Sequence, residues 1–81
     1  MYLNKVLLIG NLTRDPELKA IATGTKVASI SLATNRVWKD AQGARKEATE
    51  YHNVVAFGRQ AETLAQYARK GSSLMIEGRL Q

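Results

Sequence analysis

The sequence predicts an all-β domain with one helix, on three observations. Four stretches of β-prone residues run at strand length, one segment after residue 58 follows helical spacing, and glycines stand where strands would bend or turn. At 81 residues the chain holds one small domain, near the size at which a single core becomes marginal without partners. No repeat, low-complexity tract or linker divides it, so residues 1–81 read as one domain.

Leu3–Leu12 reads as the first strand, ending in turn chemistry at Thr13-Arg14-Asp15-Pro16. Both of its faces are apolar, with Val6 and Leu8 on one and Leu3, Leu7 and Ile9 on the other, so the second face is covered by more chain or by a second subunit. Gly10 marks a bulge or a sharp bend. Residues 17–25 read as a connector, tightest at Thr23-Gly24-Thr25. In Lys26–Thr34 the alternation is clean. Ala28, Ile30 and Leu32 point inward, and Ser29 and Ser31 point outward, where short side chains let a ligand approach the backbone.

Asn35–Lys46 is the most polar part and holds the only tryptophan, Trp38. Gln42-Gly43 supplies a turn, which makes this a hairpin whose arms continue the flanking strands. Arg36, Lys39, Arg45 and Lys46 surround Trp38, as single-strand binding requires: cations for phosphates and a π-face for bases. A solvated loop with Trp38 on the domain edge has the same composition. Thr49–Gly58 is the third strand, with Tyr51, Asn53, Val55 and Phe57 on one face and His52, Val54 and Ala56 on the other. Its two rings lie roughly 20 Å apart, a spacing that fits a stacking platform, although the segment taken alone reads better as a strand whose rings fill a core.

Arg59–Lys70 carries Ala61, Leu64, Ala65 and Ala68 on one helical face, with Gly71 placed as the left-handed residue past its end. Arg69 and Lys70 then fall in the last turn, and Tyr67 reads as a packing residue beside the apolar face. Such a helix would cover an open barrel end. Ser73–Gln81 is the fourth strand.

Twelve Lys and Arg against seven Asp and Glu give a formal charge of +5, which favours polyanionic partners. With no cysteine and one histidine, His52, disulfides and thiolate metal sites are excluded, and neither metal nor cofactor is expected. No nucleophile stands beside a base and no carboxylates cluster, since Asp40, Glu47 and Glu50 read as solvated or paired, so no enzyme activity is expected. Apolar runs such as Val6-Leu7-Leu8-Ile9 are too short to span a bilayer, and the N-terminus lacks a signal-peptide layout, which predicts a soluble intracellular protein.

Strand, strand, hairpin, strand, helix, strand is the order of the OB-fold, a Greek-key β-barrel, through its fourth strand. The residues themselves carry a resemblance. Asn4-Lys5-Val6 with Ile9-Gly10-Asn11-Leu12, then Asp15-Pro16-Glu17, Leu32-Ala33-Thr34, Trp38, Thr49-Glu50-Tyr51-His52, Phe57-Gly58, Lys70-Gly71-Ser72 and Ile76-Glu77-Gly78 follow in sequence. End to end, this resembles the N-terminal domain of the bacterial single-stranded DNA-binding protein family. The resemblance implies base stacking at Trp38, Tyr51 and Phe57, where the second position is commonly tryptophan. It implies phosphate contacts at Lys5, Arg59 and Lys70, to which charge and location add Arg36, Lys39 and Arg79.

It further implies a homo-oligomer, a tetramer before a dimer, formed through the first strand (Leu3, Val6, Leu7, Leu8, Ile9) and His52. The expected function is sequence-independent binding and protection of single-stranded DNA in bacterial replication, recombination and repair, in the cytoplasm and at the nucleoid. Two features of the family are not matched: the strand that closes the barrel between the third and fourth strands, and an acidic C-terminal tail that recruits partners. The barrel is thus expected to be incomplete at the C-terminus, with bare edges on those two strands and without tail-mediated partners. A primosomal replication-restart adaptor, an SSB-like dimer, is the alternative. An RNA-binding OB module has no aromatic-rich signature here to support it.

Overall fold

Two loops of the same construction turn the chain back on itself. In Asp40–Ala44 the N–H of Asp40 donates to the Ala44 carbonyl at 2.9 Å and that of Gly43 to the Asp40 carbonyl at 3.0 Å. In Ile21–Thr25 the equivalent pair is Ile21 to Thr25 at 3.0 Å and Gly24 to Ile21 at 2.8 Å. Each is a three-residue hairpin loop whose last residue needs positive φ, and glycine occupies it both times, at 86° in Gly24 and 80° in Gly43.

The computed structural model describes residues 1–81, which form β1 (Val6–Leu12), β2 (Glu17–Ala20), β3 (Lys26–Lys39), β4 (Arg45–Phe57), α1 (Arg59–Tyr67) and β5 (Ser73–Gly78). β3 organises the sheet. β4 runs antiparallel along one of its edges from Val27↔Phe57 to Lys39↔Arg45, while its other edge is shared by β2, through Glu17↔Ser29 to Ala20↔Lys26, and β1, through Asn11↔Ala33 and Leu12↔Leu32. β1 then pairs with β5 from Val6↔Gly78 to Asn11↔Ser73. The Asn4 amide prolongs this ladder, donating to the Leu80 carbonyl at 2.7 Å and accepting from the Leu80 N–H at 2.9 Å. The fold is mostly β with a single helix, as the alternation and the lone helical segment predict.

Inward residues make a small core. Leu12, Ile30, Leu32 and Ala68 are buried together, and Leu8, Val54, Leu64, Leu74 and Ile76 pack around them half-buried. Only seven of 81 residues are buried, so the apolar driving force is concentrated in few side chains. The radius of gyration is 15.5 Å, against about 12 Å for a compact chain of this length, because the β3–β4 ribbon projects beyond the core. β4 and β5 do not pair, and a cleft of about 1190 Å³, floored by Val54, Leu64, Leu74 and Ile76, lies between them. The bare edges expected of the third and fourth predicted strands are therefore those of β4 and β5.

Several local expectations are corrected. The connector over residues 17–25 contains a strand, β2, paired with Lys26–Ser29. The helix ends at Tyr67, not Lys70, because Ala68 turns extended at φ −92° and ψ 145°. Arg69 therefore lies outside the last turn, yet its guanidinium donates to the Ala65 and Ala68 carbonyls at 2.9 and 2.7 Å, satisfying acceptors the helix end leaves free. Gly71 does have positive φ, but within the turn leading to β5. Tyr67 is 75% exposed and does not pack.

Gly10 is not a bulge in the β1–β5 ladder, whose register runs unbroken through it. Its role is close approach, since a Cβ there would collide with the Ala33 carbonyl oxygen of β3. Ser31, on the outward face, is nonetheless buried, and the turn after β1 is fastened there: the N–H and Oγ1 of Thr13 both donate to its carbonyl, at 2.9 and 3.3 Å.

Candidate nucleic-acid interface

The unbroken β3–β4 register places each candidate on a definite face. Even-numbered residues of the barrel part of β3 and β4 point inward: Ala28, Ile30 and Leu32 are buried, and His52, Val54 and Ala56 half-buried. Odd-numbered residues point outward. Tyr51 and Phe57 therefore share the outer face, 69% and 54% exposed, with Asn53 and Val55 between them. Across the ladder from these four stand Ala33, Val27, Ser31 and Ser29, all short or branched side chains that leave the rings standing proud.

Cations flank this platform at its Phe57 end. Arg59 follows two residues later at the start of α1, and Lys19 lies in the same cross-sheet row, Lys19–Val27–Phe57. Lys19 is not among the sequence-predicted cations, because residues 17–25 read as a connector. The mirrored arrangement of Glu17–Ala20 and Lys26–Ser29 about Thr23, with Gly24 beside it, is the signal that could have found it. Lys19 is paired with Glu17 at 3.5 Å on the open surface, a contact worth only about 0–1 kcal/mol.

Trp38 is placed differently. It lies opposite Lys46 and has the parity of the inward residues, so by register it and Arg36 occupy the opposite face of the ribbon from Tyr51 and Phe57. The Arg36 guanidinium carbon sits 4.5 Å from the centroid of its ring. The hairpin end that carries them is well bonded. Asp40 Oδ1 accepts the N–H groups of Gln42 and Ala44, each at 2.9 Å, and Thr49 Oγ1 donates to Asn35 Oδ1 at 3.0 Å across the strands. Lys39 and Arg45 face one another as the last pair before the loop, and Lys46 Nζ reaches Asp40 at 3.8 Å.

The remaining cations are dispersed. Lys5 and Arg79 lie at the open end of the β1–β5 pair, with Lys5 Nζ 2.9 Å from Glu77. Lys70 lies in the turn after α1, held by its backbone N–H to Asp15 Oδ1 at 2.7 Å, with its ammonium left to solvent. Of the residues expected at a subunit contact, Leu3, Leu7 and Ile9 are exposed, and Ile9 has the exposed Met75 beside it. Val6 and Leu8 instead turn inward and line the cleft. His52 is also inward and half-buried, with Nε2 2.8 Å from Thr34 Oγ1. No helix is long and apolar enough to cross a membrane, and no three His, Asp or Glu side chains converge as metal ligands would.

Comparison with known proteins returns the same arrangement. A Plasmodium falciparum SSB solved in complex with ssDNA is similar over 100% of this chain and 73% of its own, at 35% identity and a TM-score of 0.95. The single-stranded DNA binding protein of Thermus aquaticus is similar at 37% identity over 98% of this chain and 38% of its own, with TM-scores of 0.86 for the wild type and 0.90 for a deletion variant. The profile of the Single-strand binding protein family matches residues 3–81, and with that span and these strands in register the chain belongs to that family.

Proposed function

We propose that this protein binds single-stranded DNA without regard to sequence, stacking bases on Tyr51, Phe57 and Trp38 and drawing the backbone along Arg36, Lys39, Arg59, Lys70, Lys5 and Arg79. The observation that carries the reading is the exposure of Tyr51 and Phe57 on one outward face of β4, separated by small side chains. Water-facing rings are costly unless something covers them, and a base covers a ring for about 1–3 kcal/mol. Duplex DNA hides its base faces, so this surface favours a single strand. Because Trp38 lies on the other face of the ribbon, a strand touching all three rings passes around the hairpin rather than straight across the sheet.

The role is binding without catalysis, serving replication, recombination and repair in the cytoplasm and at the nucleoid. The exposed Leu7, Ile9 and Met75 on β1 and β5 support a homo-oligomer, a tetramer in this reading. Sedimentation gives the assembly: a tetramer supports it, and a dimer supports the replication-restart adaptor instead. Fluorescence anisotropy of a labelled oligothymidine tests the binding itself. Displacement by unlabelled oligothymidine but not by a duplex of equal length is the expected result, and equal displacement by both contradicts the proposal.

A further inference from the structure

We infer that Asn53 contacts the hydrogen-bonding edge of a base held between the two rings, so that the platform touches base edges as well as base faces. The inference deepens the single-strand reading and rests on it. Tyr51 and Phe57 are six residues apart, about 20 Å along an extended strand, so a chain stacked on both leaves bases over the stretch between. Two side chains of β4 face that stretch, Asn53 and Val55. Val55 offers only apolar surface, and Asn53, about 7 Å from Tyr51, is the polar one.

Three observations give the Asn53 amide this role. It is exposed, and none of the side-chain hydrogen bonds of the protein uses it, so its acceptor and two donor hydrogens are free. Its cross-strand partner Ser31 is buried and does not compete for a ligand. The neighbouring row, Glu17–Ser29–Val55, holds no cation of its own, and its one carboxylate is paired with Lys19 at 3.5 Å. No unpaired cation stands beside that stretch to draw a phosphate onto it, and the strand turns its bases toward the sheet. An amide suits that position, because every base edge carries donors and acceptors and an amide answers both.

The experiment compares oligothymidine with an oligomer of N3-methylthymidine, which keeps the phosphates and the π-faces but replaces the edge N–H by a methyl group. The wild-type protein is expected to bind the methylated oligomer about fivefold more weakly, the ratio of one net hydrogen bond. Asn53→Ala, at an exposed site, should keep its circular dichroism and salt slope, bind oligothymidine about fivefold more weakly than wild type, and bind both oligomers equally. Equal binding of the two oligomers by the wild type, or a fivefold gap that survives in Asn53→Ala, overturns the inference. Failure of the wild type to bind either oligomer overturns the single-strand reading itself, and is distinguished by that.

Discussion

The Arg36 guanidinium carbon stands 4.5 Å from the centroid of the Trp38 ring, so one face of the only tryptophan is already occupied by a cation in the free protein. An exposed cation–π contact is worth about 0.5–1 kcal/mol, and a stacked base about 1–3 kcal/mol. On the proposed reading the base takes that face, and the displaced guanidinium becomes available to a phosphate. Arg36→Ala is therefore expected to leave stability within about 1 kcal/mol and to reduce the log–log salt slope of binding by about 0.7. Titrations at several salt concentrations measure this; an unchanged slope means that Arg36 never meets the backbone.

Tyr51 and Phe57 are uncharged and face outward from the same strand, whereas Arg59 begins the helix beside them. Their contributions separate by salt dependence. Tyr51→Ala and Phe57→Ala should each weaken binding by about 1–3 kcal/mol with an unchanged slope, and Arg59→Ala should flatten the slope by about 0.7. Parallel salt titrations of the three variants check the division, and a common change in slope argues against it.

Gly10→Ala introduces a methyl group where the Ala33 carbonyl oxygen already lies. The obstacle is backbone, so β1 and β3 have to separate, and a loss of about 2–3 kcal/mol is expected on urea denaturation. Ala33→Gly in the same protein should not rescue it, because the clash is with the carbonyl and not with the Ala33 side chain.

Ile30 is 1% exposed at the centre of the buried cluster. Ile30→Ala is expected to cost about 2–5 kcal/mol, a large share of what so small a domain has. The urea midpoint should fall accordingly, and oligothymidine at concentrations well above its dissociation constant should restore part of the loss through linkage. A midpoint within error of the wild type contradicts the placement of Ile30 in the core.

The shared outer face of Tyr51 and Phe57 was legible because alternation alone assigns them to one face and Val54 and Ala56 to the other, and the ladder keeps that parity without a bulge. The position of Trp38 relative to them depends on the register, which is set by the three-residue loop at Ala41–Gly43 and cannot be read from the strand itself. β2 is hard to read for another reason: all four of its residues are exposed, so no apolar period marks it and only its mirrored position across Thr23-Gly24 points to it. The helix end misled because Ala68 is buried where a helical face would put it, although its backbone is already extended. The need for glycine at position 10 comes from β3, distant in sequence, and the burial of Ser31 goes with the turn after β1 that is fastened to it. Residues whose facing rests on their own strand were readable, and those positioned by another strand were not.

The central claim is that aromatic stacking and phosphate contact act together, and the single tryptophan reports both. Titration of Trp38 fluorescence with oligothymidine at two salt concentrations tests it most directly. Saturable quenching whose apparent affinity falls at high salt is the predicted result; binding detected by anisotropy with no change in Trp38 emission would contradict the account by removing Trp38 from the path of the strand.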